Sequence, residues 1–141
     1  MVVLGLLAPA ASQEPKAAKT PSLYQRVGGY DTLAAIFDDL GPRLAKDPQF
    51  ARFFTGHATD SDLRQRQRAL EVLCQDSGGP CVYTGRPLKQ AHGGLGIGEA
   101  HWTAFLGHLT ATLDHLKVAQ KEKAEVLSLV GRYKTDIVEK P

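Results

Sequence analysis

The chain has 141 residues, 17 of them basic and 15 acidic, for a formal net charge of +2, and only two cysteines. That length fits one domain that buries roughly two-thirds of its unfolded surface and leaves too little chain for a second. Basic residues are scattered, grouped only at Arg64, Arg66 and Arg68, which excludes an extended nucleic-acid face, and no run reaches the roughly 18 apolar residues that cross a bilayer.

Residues 2–11 form an apolar stretch, followed by Ser12, Gln13, Glu14, Pro15 and Lys16 without periodicity. Residues 1–21 therefore read as a signal-like or disordered segment. The outline is that of a secretory core and cleavage site without the usual positive start, and a tail or misassigned start codon fits equally. Cleavage implies a periplasmic or secreted protein; without it the protein is cytoplasmic. The folded domain is expected over residues 22–138.

From Ser22 onward the pattern is helical. Ser22 and Gln25 have capping-box spacing, and residues 23–27 form a short helix that Gly28 and Gly29 end. Asp31 caps a second helix with Leu33, Ile36, Phe37, Leu40 and Leu44 on one stripe. Pro42 lacks a backbone donor and crowds the preceding turn, so a kink or split is expected near residues 34–40. Phe50, Phe53 and Phe54 follow as an aromatic cluster beside Thr55 and Gly56. Phe50 reads as a core corner; Phe53 and Phe54 serve equally as core or as flat walls for a planar ligand.

A third helix is expected over residues 61–75, with Leu63, Leu70 and Cys74 in its buried stripe. Gln67 falls about 40° from Leu63 at 100° per residue, which aims an amide inward. Burying an amide without a partner costs about 1 to 3 kcal/mol, so Gln67 needs a backbone group, a water or a ligand, and a backbone group is the commonest outcome. Cys74 and Cys81 flank the turn at residues 77–80. An oxidising compartment permits them to pair, and a cytosolic one keeps them as thiols.

Next comes a stub. Pro87 suits a helix start, Leu88 and His92 lie one turn apart on one face, and Gly93 and Gly94 stop the helix at once. A single imidazole held this way among apolar helices suits a flat iron cofactor, which points to haem. The helix over residues 99–116 turns Trp102, Phe105, Leu106, Leu109, Leu113 and Leu116 to one side. His101, His108 and His115 recur every seven residues but fall roughly 100° to 140° from that face, so they read as a solvated flank rather than a metal site. A last helix over residues 120–138, with Val126, Leu129, Val130, Tyr133 and Ile137 inward, packs antiparallel to it across a turn near Val118.

The segments SLYQRVGGYD, DP with FARFF, SGGPCVYTGR, KQAHGGLGIGEAHW and HLTATLDHLKV together resemble the group I truncated haemoglobins over residues 22–138. The resemblance implies an all-α fold, the two-over-two helical sandwich of the truncated globin, carrying haem b (iron protoporphyrin IX). It implies His92 as the proximal iron ligand, with Leu88, Ile97, Trp102, Phe105, Val126 and Val130 lining that side and Phe54 stacked on the haem edge. Tyr83, Arg86 and Lys89 match positions that meet the propionates. Leu63, Gln67 and Leu70 match the distal gate and the residue that bonds the ligand. Where the family commonly carries a tyrosine on the second helix to donate to the ligand, this chain has Gly41.

The expected function is binding of dioxygen, nitric oxide or carbon monoxide at a five-coordinate iron, for oxygen storage or transport or for nitric oxide detoxification. Catalytic turnover to nitrate, which the family supports, would draw electrons from an external reductase, since the chain has no flavin or nicotinamide motif; enzyme status stays open. The alternative is a haem-based sensor or electron-transfer module with an internal sixth ligand, for which His57 is the nearest candidate. A helical interaction domain without cofactor leaves the inward Gln67 and the histidine-ended stub unexplained.

Overall fold

Ser22 and Gln25 form the reciprocal cap that their spacing predicts. In the computed structural model, which describes residues 20–140, the Gln25 amide donates to Ser22 Oγ at 3.2 Å and the Ser22 amide to Gln25 Oε1 at 3.0 Å. These bonds start α1 (Leu23–Val27), which ends at Gly28 with φ +115°. A Cβ there would collide with Thr32 Oγ1, so only glycine fits the turn. The signal-like reading of the N-terminal segment falls, for residues 1–19, outside the described residues.

Helix α2 (Gly29–Lys46) starts immediately, with Gly28 as its cap and Asp31 inside its first turn rather than capping it. Contrary to expectation, α2 runs unsplit through Pro42. Proline removes one hydrogen bond, while Leu33, Ile36 and Leu40 anchor the helix in the core at 3% exposure or less. Burying each such side chain contributes about 1.5 to 3 kcal/mol, which outweighs the missing bond.

The remaining elements are α3 (Ala51–Phe54), α4 (Thr59–Asp76), α5 (Leu88–His92), α6 (Glu99–His115), α7 (Gln120–Gly131) and α8 (Lys134–Ile137). Helix α2 packs on both α4 and α6, α6 pairs with α7, and α1 joins α2 to α7. This is the expected two-over-two sandwich. Its core joins the α2 anchors to Leu70, Leu73 and Cys74 of α4, Trp102, Leu109 and Leu113 of α6, and Val126, Leu129 and Val130 of α7. Between α6 and α7 the chain turns at Lys117, whose φ is +56°.

Two further expectations are corrected. The helix predicted over residues 120–138 breaks after Gly131: the Arg132 and Tyr133 amides bond back to the Leu129 and Val130 carbonyls at 3.2 and 2.9 Å, a tightened turn that precedes α8. Tyr133 then donates its hydroxyl to Asp76 at the end of α4, at 2.6 Å. Burial, and then the Asp76 bond, push the Tyr133 hydroxyl pKa up.

The three histidines are not a uniform solvated flank. His115 is exposed, but His101 rests its ring edge against Phe50 and Phe53, and His108 Nε2 lies 2.7 Å from the Asp47 carboxylate beside Phe50. The turn before α3 covers this side of α6, which helical periodicity alone does not reveal. Phe50 is buried, as expected of a core corner.

Among the described residues, polar side chains that enter the sandwich are paired there. Thr112, fully buried, donates to Asp39 Oδ2 at 2.7 Å, and Arg43 bonds the same oxygen at 2.6 Å. Cys74 and Cys81, left open by the sequence, are joined as a disulfide across seven residues.

A loop this short implies about 2 kcal/mol of stabilisation by restriction of the unfolded chain. Urea unfolding of the Cys74→Ser, Cys81→Ser double variant is expected to show a loss of that size relative to the oxidised protein. Acid is expected to weaken the fold as well. Arg43 and then Thr112 hold the Asp39 carboxyl below its usual range, His108 and then the Gln49 amide do so for Asp47, and Arg26 does so for Glu125. Each contribution is complete above the ordinary carboxylate range near pH 4 and is lost as pH falls through the lowered folded values. The urea midpoint is therefore expected to drop below about pH 4, and less steeply in Asp39→Asn.

Candidate haem-binding site

Helix α5 is one turn and a little more. Pro87 caps it, its carbonyl accepting from the Gln90 and Ala91 amides at 2.9 Å each, and Gly93 follows His92 in extended conformation. His92 Nδ1 lies 2.8 Å from the Leu88 carbonyl oxygen. A carbonyl only accepts, so the hydrogen sits on Nδ1 and the lone pair is left on Nε2. The ring is thus fixed in one tautomer, with one nitrogen free to coordinate a metal. His92 is half-buried. Helix α5 packs on α8, whereas α4 packs on α2, so the stub and α4 rest on different helices.

On α4, Gln67 is half-buried and bonds only side chains: the Tyr30 hydroxyl donates to Gln67 Oε1 and Gln67 Nε2 donates to Glu71 Oε1, each at 3.4 Å. The expected backbone partner is absent because the same surface of α2 is taken by Arg66, which bonds Asp38 at 2.6 Å and the Ala34 carbonyl at 3.4 Å. Leu63, predicted buried, is 57% exposed; the buried part of α4 begins at Leu70, which is fully enclosed.

The other predicted residues divide into three groups. Leu88, Ile97, Phe105, Phe54 and Tyr83 are half-buried, and Arg86 just before α5 and Lys89 within it are exposed. Leu70, Trp102, Val126 and Val130 are sealed in the core, with Trp102 and Phe105 rings 5.6 Å apart. Tyr83 donates its hydroxyl to the Arg86 carbonyl at 2.5 Å and its amide to Gln75 Oε1 at 2.9 Å, while Arg68 bonds Thr84. With the disulfide, these bonds tie the segment leading into α5 to α4.

His57 is 40% exposed and sits 3.4 Å from Asp62, turned to an ion-pair partner between α3 and α4. At Gly41 a Cβ would meet nothing within 4 Å. A surface concavity bounded by Leu23, Asp76, Ser77, Glu125, Ser128, Leu129 and Arg132 touches none of the predicted residues.

Three residues of this region were given no role by the sequence. Tyr30 shares a face of α2 with Ala34 and Asp38, so only the helical register could have marked it. Arg52 donates to the Gly96 carbonyl at 3.3 Å with its guanidinium 4.3 Å from the Phe53 ring centre. Glu139 accepts from the Gly94 and Gly96 amides from a position 45 residues away from the first of them.

Two crossed helix pairs and a one-turn stub presenting a free imidazole nitrogen define a truncated globin of the two-over-two class. Residues 22–139 match the bacterial-like globin family, and the chain belongs to it. It is 32% identical over 114 residues to the group 1 truncated haemoglobin of Mycolicibacterium paratuberculosis, covering 81% of this chain and 82% of that one. A point mutant of the truncated haemoglobin of Tetrahymena pyriformis, solved in the Fe(III) form, superposes with a TM-score of 0.76 at 25% identity, over 84% of this chain and 98% of that one. The 2/2 haemoglobin of a Synechococcus species, solved in the cyanomet state with covalently attached haem, superposes at 0.75 and 25% identity, with the same coverage. Among the described residues no helix is long and apolar enough to cross a membrane.

Proposed function

We propose that this chain carries haem b on His92 Nε2 and binds a diatomic gas, dioxygen, nitric oxide or carbon monoxide, on the opposite face. The observation that carries the reading is the 2.8 Å contact of His92 Nδ1 with the Leu88 carbonyl, which leaves one neutral nitrogen donor. The donor set fits haem rather than zinc, which takes several protein ligands at once. When bound, haem supplies a ferrous iron with an open position for the gas.

The chain's residues have separate tasks in this reading. Leu88, Ile97 and Phe105, backed by the core residues Trp102, Val126 and Val130, keep water from the proximal side. Phe54 borders the edge. Arg86 and Lys89 offer exposed cations, and Tyr83 a phenol, to the propionate carboxylates. Leu63 gates the distal side and Gln67, already polarised by Tyr30 and Glu71, offers its amide; Leu70 acts from within the core. An external reductase would keep the iron ferrous during any turnover of nitric oxide. The Cys74–Cys81 bond supports an oxidising compartment.

The test is the absorption spectrum of purified protein with and without dithionite and carbon monoxide. A five-coordinate high-spin ferrous spectrum, with most haem lost in His92→Ala, is expected; material that stays colourless after hemin is added sinks the reading. A low-spin unliganded ferrous spectrum would instead establish an internal sixth ligand.

Gly41 leaves the distal side without the family's usual donor. A hydrogen bond to a partly charged ligand contributes about 1.5 to 3 kcal/mol, or roughly ten- to a hundredfold in release rate. Gly41→Tyr, whose Cβ would meet nothing within 4 Å, is expected to slow dioxygen release by that factor in stopped-flow measurements; an unchanged rate would contradict it.

A further inference from the structure

The turn that follows His92 is gripped on both faces. Gly94 and Gly96, with φ of +83° and +68°, direct their amides at one carboxylate: Gly94 N donates to Glu139 Oε1 at 2.5 Å and Gly96 N to Oε2 at 2.7 Å. Only glycine takes these left-handed conformations without strain, and the alternate amides of residues 94 and 96 so arranged hold one carboxylate, while the Leu95 amide between them donates back to the His92 carbonyl at 3.3 Å. From the other side Arg52 donates to the Gly96 carbonyl at 3.3 Å. The Glu139 amide donates to the Ile97 carbonyl at 2.9 Å, and Gly98 bridges Lys140 in parallel.

Both amides bond an ionised group, and such bonds are roughly twice as strong as neutral ones. The two amide bonds, and then Lys140, hold the Glu139 carboxyl below its usual range. Helix α5 has no side-chain cap at its start. The bond from Nδ1 to Leu88 sets the rotation of the His92 ring but not the tilt of the backbone beneath it. That backbone is continued by Gly93 straight into the gripped turn, and α5 itself lies on α8, whose chain leads directly to Glu139.

We propose that Glu139 is a positioning residue for His92: by clamping the Gly94 to Gly96 turn it sets the tilt of the imidazole toward the haem plane. The inference rests on the reading of His92 as the haem ligand and goes beyond it, since it assigns the C-terminal segment a part in the proximal site.

The test compares wild type, Glu139→Gln and Asp136→Asn, all loaded with haem. Glutamine keeps the shape but loses the charge and one acceptor, and Asp136 is an exposed carboxylate on α8 that bonds no part of the turn. Two quantities are read: hydrogen exchange across residues 93–98 by mass spectrometry, and the iron–histidine stretching band of the ferrous protein by resonance Raman. Glu139→Gln is expected to speed exchange roughly tenfold and to shift and broaden the band, with Asp136→Asn matching wild type in both. A band in Glu139→Gln that superposes on wild type overturns the proposal even if exchange is faster, and so does an equal shift in Asp136→Asn. Absence of any iron–histidine band in wild type would instead bring down the His92 assignment itself.

Discussion

One hydrogen bond fixes what this molecule can coordinate. With its Nδ1 committed to the Leu88 carbonyl at 2.8 Å, His92 has a single available lone pair and a single ring orientation about its own side-chain bonds. Without it a half-buried imidazole on a five-residue stub would sample both tautomers and several rotamers, and a metal would have to select one of them. The rest of the fold reads as the support that this small element needs. A helix of one turn has no stability of its own, because nucleation fixes several residues for one bond. It persists here because Pro87 presets its start, α8 lies against it and the chain on either side is tied down.

Those ties come from both directions. Upstream, the disulfide and the Tyr83 and Thr84 hydrogen bonds attach the lead-in segment to α4. Downstream, Glu139 and Arg52 hold the glycine turn. Helix α4 packs on α2 and α5 on α8, and both supports reach the same core, against which Ile137 of α8 packs.

Much of the fold is legible in the sequence because its signals are local. The Ser22 capping box, the glycine stop after α1, the His92 stub and the apolar faces of α2 and α6 all follow from periodicity and end chemistry within a few residues. What is not legible depends on neighbours. Pro42 reads as a break, since its local cost is plain and the burial of Leu33, Ile36 and Leu40 that overrides it is tertiary. The end of α7 is hidden because Gly131 and Tyr133 keep the helical spacing while the Asp76 bond lies 57 residues off. Leu63 has the right period for a buried stripe and yet is 57% exposed. His101 and His108 read as solvated because nothing in α6 reveals the phenylalanines of the α3 region. Around α5, His92 and Leu88 are half-buried and Arg86 and Lys89 exposed, as their own residue types explain, whereas Tyr30, Arg52 and Glu139 act through contacts between distant segments.

Apolar contacts between α2 and α6 would tolerate sliding by part of a turn, since burial is nearly indifferent to direction. Thr112 is not. Its hydroxyl, enclosed completely, must find Asp39, and that carboxylate is already aimed by Arg43. A slip of one residue along either helix would leave the enclosed Thr112 hydroxyl without its acceptor. This triad therefore acts as a dowel between the two layers, selecting one register out of several that the greasy surfaces alone would accept.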